Sequence, residues 1–227
     1  MESAYRLYYD FWGVELDGLL EPVPEYHDFK YLPKARIIDL LKTFRYPEVA
    51  LLVRKEYETA FDDFKESFEK SSDIRGGGVV VTGQPGIGMH LSLTNSGKTC
   101  FLHYLLFRLL SKKMTVAFQV QKRCFLFEDT GVRIFDPDAM AEFIPNGTWA
   151  LTDSRHGDET PCSAFLQAGQ SRKAWIVHTT SPAEKRYYQW SKEVGAKMYW
   201  MDVFGLDELI ALGYVQHDSR CFYRHAE

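Results

Sequence analysis

The sequence lacks the features that would place it quickly. No apolar run approaches the length needed to span a bilayer. The start, Met1-Glu2-Ser3-Ala4-Tyr5-Arg6, has no basic segment leading into an apolar core, so no secretory signal is legible and the chain reads as intracellular, in cytoplasm or nucleus. Cysteine is scarce: Cys100, Cys124, Cys162 and Cys221 show no spacing of the metal-binding or disulfide-framework kind, and read as ordinary thiols in a reducing compartment. Charge of one sign is also missing. A net charge of −4 gives no global basic field for nucleic acid, although a local groove stays open. There is no internal repeat and no low-complexity tract. Ser-His-Asp sets, HExxH and a cysteine nucleophile with a spaced histidine are all absent, which removes the common hydrolase constellations.

What is present centres on residues 76–102. Gly76-Gly77-Gly78 leads into Val79-Val80-Val81-Thr82, then Gly83-Gln84-Pro85-Gly86-Ile87-Gly88. After residues 89–97 come Lys98-Thr99-Cys100-Phe101-Leu102. Without residues 89–97 the chain reads Gly-Gln-Pro-Gly-Ile-Gly-Lys-Thr, a complete phosphate-binding loop between an apolar strand and an apolar helix. Such a loop turns on glycines, lines the turn with backbone N–H groups, and aims a helix N-terminus at the anion. Lysine reaches the terminal phosphates and the threonine hydroxyl holds Mg²⁺. Gly83, Gly86, Gly88, Gly97, Lys98 and Thr99 are therefore the candidate residues for binding Mg²⁺ and ATP, with Thr99 a metal ligand.

The interruption leaves two registers. In one, Gly83 to Gly88 wraps the phosphate and Met89 stands where lysine belongs. In the other, Ser92 to Thr99 forms the loop, with Ser92 replacing the first glycine and Gly83 to Leu91 bulging out. The second is favoured because Lys98-Thr99 heads a well-specified helix, Cys100 to Leu110, with Phe101, Leu102, Leu105, Leu106, Leu109 and Leu110 on its apolar face. A serine at the first position restricts the backbone, so weakened binding is expected. Because removing residues 89–97 restores the motif in frame, they could also be an artefact of splicing or of the gene model, which the transcript would decide.

Upstream, residues 1–75 read as a helical and aromatic lead-in. It comprises the cluster Tyr5, Tyr8, Tyr9, Phe11 and Trp12, a loop-like stretch from Leu20 to Pro33 with three prolines, a helix over Lys34 to Phe44, and a longer amphipathic helix over Tyr46 to Ser71. Downstream, residues 76–215 read as the core. Strands are expected over Met114 to Val120, Cys124 to Phe127, Val132 to Phe135, Trp149 to Asp153, Ala174 to Thr179 and Lys197 to Met201. Helices are expected over Asp138 to Ile144, Pro182 to Val194 and Leu206 to Leu212. Residues 216–227 read as a tail. The alternation beyond residue 78 argues for an α/β fold, a three-layer sandwich around a mostly parallel sheet.

Asp153 ends an apolar strand, where a carboxylate can hold the water shell of Mg²⁺; the plainer alternative is a turn cap. Its neighbour is Ser154, not a carboxylate that could orient water. Asp158, Glu159 and His156 read as solvated loop residues. Thr179-Thr180-Ser181 could sense a terminal phosphate, with Ser181 more simply a helix cap. Arg186 could stabilise developing charge on the phosphate, or be an exposed arginine paired with Glu184 or Glu193. Asp153 and Arg186 are the catalytic candidates.

The motifs then form a series: the Gly-rich loop, the Lys-Thr helix, an aromatic hairpin, Trp-Ala-Leu-Thr-Asp-Ser, Ile-Val-His-Thr-Thr-Ser-Pro, Arg-Tyr-Tyr-Gln-Trp-Ser-Lys-Glu, and Tyr-Trp-Met-Asp-Val-Phe-Gly-Leu-Asp-Glu-Leu. Over about residues 46–212 this series resembles the P-loop ATPase module of fungal Crinkler-like and retrotransposon-hot-spot-type proteins. The resemblance implies a regulatory ATPase, joined in such families to a nuclease-like or other effector region or a protein partner. It implies that Lys98 and Thr99 hold phosphate and Mg²⁺, and that Asp153 holds the metal's water. The split loop departs from the family pattern and raises the alternative of a degenerate switch or interaction domain that no longer binds nucleotide.

Overall fold

The computed structural model describes residues 2–37, 44, 50–71, 77–83, 97–138, 141–154 and 160–221. Its centre is β4 (Gly77–Thr82), every residue of which is buried. A strand covered on both faces cannot alternate polar and apolar residues, which is why the sequence reads Val79-Val80-Val81. β4 belongs to a seven-stranded sheet of order β10-β4-β9-β8-β5-β6-β7. The other members are β5 (Val116–Val120), β6 (Arg123–Glu128), β7 (Gly131–Phe135), β8 (Thr148–Asp153), β9 (Ala174–Thr179) and β10 (Lys197–Trp200). The pairs β10–β4, β4–β9, β9–β8 and β8–β5 are parallel, and β5–β6 and β6–β7 are antiparallel. Parallel neighbours need a crossover, and helices supply it. The expected α/β fold with a mostly parallel sheet is what the chain adopts.

The two faces are covered by different helices. On one lie α1 (Glu2–Phe11), α2 (Lys55–Ser71) and α3 (Gly97–Ser111), which share a core with Val79, Val81, Leu151 and Val177. This core is strongly aromatic. Phe11 stacks on Phe107 at 4.6 Å, and Phe64 meets Phe101, Trp175 and Tyr199 edge-on. On the other face, α4 (Ser163–Gln170) and α5 (Tyr188–Val194) bring Phe165, Ala168, Trp190 and Val194 onto Val80, Ala150 and Ile176. Residues that alternate along one strand thus enter different cores. The lead-in helices α1 and α2 share the core of the central sheet.

Several local expectations are corrected. The proline-bearing stretch from Leu20 to Pro33 contains a hairpin, β1 (Glu21–Val23) and β2 (Tyr26–Leu32), which pairs with β3 (Leu51–Val53) in a separate antiparallel sheet. Pro22 sits in β1, which pairs on one side only, where a missing N–H is tolerated. The long helix does not begin at Tyr46. Leu51-Leu52-Val53 is a strand, Arg54 separates it from α2, and residues 45–49 lie outside the described residues. The helix expected over Asp138 to Ile144 reduces to a 3₁₀ turn at Ala141–Phe143, with residues 139–140 outside the description. Pro182 to Val194 divides into a 3₁₀ turn, Glu184–Arg186, and α5, which Gly195 ends in the left-handed conformation. The last helix, α6 (Leu206–Cys221), runs past the expected end into the stretch read as tail. Its Ala211 and Val215 pack on Val23, Ala50 and Leu52 of the small sheet. Helix α4 had no counterpart among the expected elements.

Candidate functional site at the carboxyl edge of the sheet

The parallel strands β4, β9 and β8 lie side by side and deliver Thr82, Thr179 and Asp153 to one edge. Val81, Thr179 and Asp153 are in register. Open α/β sheets bind ligands at this carboxyl edge. The chain leaves β4 at Gly83 and re-enters the description at Gly97, the first residue of α3. Residues 84–96 lie outside the described residues, and with them Gly86, Gly88, Met89 and Ser92. The choice between the two loop registers therefore falls there too, as does the segment 155–159 with His156, Asp158 and Glu159.

The central contact is between elements far apart in sequence. Thr99, in the first turn of α3, donates its hydroxyl hydrogen to Asp153 Oδ2 at 2.8 Å. Thr99 is buried and Asp153 half-buried. Lys98, one residue earlier, is also half-buried. Position 99 thus faces the sheet, and the first turn and positive dipole end of α3 lie at the same edge.

The supports behind this turn are specific. Tyr57 of α2 is almost fully buried and donates to the carbonyl of Gly97 at 2.8 Å. Burial raises its phenol well above the ordinary value, so it remains a donor at any physiological pH. A Cβ at Gly97 would stand 3.0 Å from Phe204 Cε2. Gly83 is tighter: a Cβ there would stand 2.7 Å from the carbonyl oxygen of Met201. These glycines are needed for close approach.

Phe204 is held in turn by Arg54, whose guanidinium lies 4.2 Å from the ring centroid. Arg54 is 2% exposed, donates to both Glu208 oxygens at 3.0 and 2.9 Å, and lies 2.8 Å from Glu56. It also donates to the carbonyls of Asp202 and Val203. Burial opposes its charge, but the Glu208 hydrogen bond and the surrounding charges prevail and raise its pKa. Glu56 moves upward because burial outweighs the Asp202 amide and Arg54.

Three buried hydroxyls at the edge, Thr82 Oγ1, Thr179 Oγ1 and Thr180 Oγ1, have no hydrogen-bond partner among the described residues. Buried donors without partners cost stability unless something outside the protein satisfies them. Thr82 carried no signal beyond its place between a valine run and Gly83, and the sequence reading passed over it. Thr179 and Thr180 belong to the strand-end stretch for which the sequence suggests phosphate sensing.

His178 lies one residue before Thr179 and faces the opposite side, its ring 5.5 Å from Trp190. It is fully buried and neither ring nitrogen has a partner among the described residues. Burial first, and then the positive charge of Arg186, push its pKa down to about 3. Arg186 therefore lies within electrostatic reach of His178. Glu193, one partner considered for Arg186, bonds Gln170 and Gln189. Of the candidates, the structure brings Thr99 and Asp153 into contact, with Lys98 and Gly97 in the same turn and Gly83 at the end of β4.

Oxygen donors suit Mg²⁺, and the hydroxyl of Thr99 with the carboxylate of Asp153 forms such a pair. Among the described residues no group of three or more His, Cys, Asp or Glu side chains could hold a metal by itself. A Mg²⁺ ion here would complete its shell with water and phosphate oxygens, its usual practice in nucleotide sites. Comparison with protein-family models, curated proteins and solved structures gives no match for this chain.

Proposed function

We propose that the chain is a Mg²⁺-ATP-binding module of the P-loop NTPase type, a three-layer sandwich whose phosphate site lies between β4, β8 and α3. The observation that carries this reading is the 2.8 Å contact of Thr99 with Asp153 at the carboxyl edge of the sheet. It joins the residue after the lysine to the acid at the end of a parallel strand, as a shared Mg²⁺ site requires. The buried Thr179 hydroxyl, in register with Asp153 and without a partner among the described residues, supports it by offering a donor to an anion. Lys98 would place its ammonium on the terminal phosphates. Thr99 would ligate Mg²⁺, and Asp153 would accept hydrogen bonds from the metal's water. The ion, when bound, would neutralise phosphate charge. The motif series continues to support kinship with the ATPase module of Crinkler-like and retrotransposon-hot-spot-type proteins, and with it a protein partner or effector region.

A second reading is favoured by one observation. Ser154 follows Asp153 and is nearly buried. A hydroxyl there cannot serve as the base or water-orienting acid that hydrolysis needs. Under this reading the domain is non-catalytic, no longer binds nucleotide, and acts as a switch or protein-interaction unit.

Calorimetric titration with ATP, with and without Mg²⁺, separates the readings. The parent is expected to bind weakly and with dependence on Mg²⁺. Lys98→Ala should weaken binding at least tenfold, about 1.4 kcal/mol, and Asp153→Asn should remove the Mg²⁺ dependence while leaving the fold intact by circular dichroism. Equal affinity in the parent and Lys98→Ala would end the phosphate assignment. No binding by a folded parent would favour the switch reading.

A further inference from the structure

Cys124 of β6 and Cys162 at the N-terminus of α4 are 38 residues apart in sequence, yet their sulfurs lie 3.8 Å apart. Cys124 is fully buried and Cys162 is 9% exposed, which makes Cys162 the more accessible residue of the pair. The position of Cys162 is fixed by the sheet. Gln119 of β5, the cross-strand partner of Cys124, accepts the Cys162 N–H at 3.1 Å and the Thr152 hydroxyl at 3.0 Å. One side-chain oxygen thus ties the start of α4 to the strand that ends in Asp153.

The chemistry of the two sulfurs differs. The Cys162 thiol is pulled below its ordinary pKa by the Cys124 thiol, against the opposing effect of burial, with the Phe165 and Ala164 amides acting in the same direction. Its greater accessibility acts in the same sense and makes Cys162 the attacking sulfur of the pair. Cys124 has no such exposure and is placed to resolve what Cys162 forms.

We propose that Cys124 and Cys162 form a reversible disulfide in response to peroxide, a modification site on the face of the sheet opposite α3. The Cys162 thiolate attacks one peroxide oxygen and the O–O bond breaks. Hydroxide departs, takes up a proton, and leaves a sulfenic acid on Cys162. The Cys124 sulfur then attacks the Cys162 sulfur. The S–O bond breaks, and the hydroxyl leaves as water with the proton from Cys124. Both thiols are oxidised by one electron each and the peroxide is reduced to water. The sulfurs close from 3.8 Å to about 2.05 Å, the length of an S–S bond. The product ties β6 to the start of α4, where the chain returns after Asp153. A small dithiol reverses it by exchange.

The test uses the full chain with Cys100→Ser and Cys221→Ser, leaving the pair as its only thiols. The protein is treated with hydrogen peroxide, quenched in acid, alkylated without reduction, digested and mapped by mass spectrometry. The expected result is a cross-linked peptide joining residues 124 and 162, lighter by two hydrogens than its parts and separated by dithiothreitol. Cys162→Ser in this background should leave Cys124 fully alkylated after peroxide. The same mapping on the parent chain guards against misfolding of the variant. The proposal is overturned if Cys124 is alkylated while Cys162 carries sulfinic acid, if both remain alkylated, or if Cys124 pairs with Cys100 or Cys221 in the parent. Because the readout is covalent, it stands or falls independently of nucleotide binding.

Discussion

His178 shows how one buried side chain sets a pH dependence. In the unfolded chain a histidine takes up a proton as pH falls below about 6.5. In the fold, burial and Arg186 hold His178 neutral down to about 3. Between those values the unfolded state binds the extra proton, so stability present at neutral pH is lost as pH falls through the window, at up to about 1.4 kcal/mol per pH unit. Urea unfolding of the parent at pH 7 and pH 5 should therefore show a larger loss than the same pair of measurements on His178→Asn. Equal losses would mean that His178 is not kept neutral. His178 stood in the sequence among strand residues and before two threonines, but nothing local distinguished it. Its environment is made by Trp190 and Arg186, which arrive from the next crossover.

At the scale of elements, the glycines at the two described ends of the loop should respond differently to a methyl group. At Gly83 the obstacle is the backbone oxygen of Met201, at 2.7 Å from the added Cβ. At Gly97 it is the Phe204 ring, at 3.0 Å, which can turn. Gly97→Ala should cost about 1–3 kcal/mol, the usual range for overpacking, and Phe204→Leu should relieve part of it. Gly83→Ala should cost more and no single side-chain change should rescue it. Thermal unfolding of the single and double variants checks both. Arg54→Ala should cost about 3 kcal/mol, the lower end for a broken buried pair, since the half-buried Glu208 and Glu56 would lose the cation they share. Arg54→Lys should recover little of this in denaturant unfolding, because an ammonium cannot reproduce the fork to Glu208.

The same elements show what the sequence could disclose. Strand β4 is legible because burial on both faces demands a continuous apolar run, which Val79 to Val81 supply, and helix α3 because Phe101, Leu102, Leu105, Leu106, Leu109 and Leu110 repeat at helical spacing. The β6–β7 hairpin was legible from its turn, Asp129-Thr130-Gly131. The β1–β2 hairpin was not, because Pro22 and Pro24 look like loop punctuation and its outer residues are polar. Leu51-Leu52-Val53 fits helical and strand spacing equally over so short a run, and only its pairing with β2 decides between them. Helix α4 was missed because its apolar face is short, with Ala164, Phe165 and Ala168 as its buried apolar residues. Thr99 stands out by its place after the lysine and Asp153 by its strand end, but nothing in the sequence announces the hydrogen bond between them. The Cys124–Cys162 approach could not be, because their separation follows no recurring pattern and the register of β5 with β6 brings them together.

At the scale of the whole molecule, the order β10-β4-β9-β8-β5 places a strand between the one that feeds the loop and the one that carries the acid. That leaves Thr179 beside Asp153 at the carboxyl edge. Among the described residues no helix is long and apolar enough to cross a membrane. Removing residues 89–97 would join Gly88 to Lys98 and restore an uninterrupted loop. That variant should gain more thermal stability from Mg²⁺-ATP than the parent at the same ligand concentration, since stabilisation grows as the logarithm of ligand over Kd and reaches about 2.7 kcal/mol at a hundredfold excess. A variant whose unfolding temperature ignores Mg²⁺-ATP would show that the interruption is not what limits binding.

Arg54 and Glu208 stand 154 positions apart along the polypeptide. During synthesis, the backing of the Gly97 turn cannot close until Glu208 has left the ribosome. Newly made protein halted before Glu208 would carry the lysine and threonine of the turn but not the buried clamp behind them. A nascent molecule should then acquire the proposed nucleotide site only after Glu208 is made, later than the strands β4, β8 and β9 that form the sheet edge.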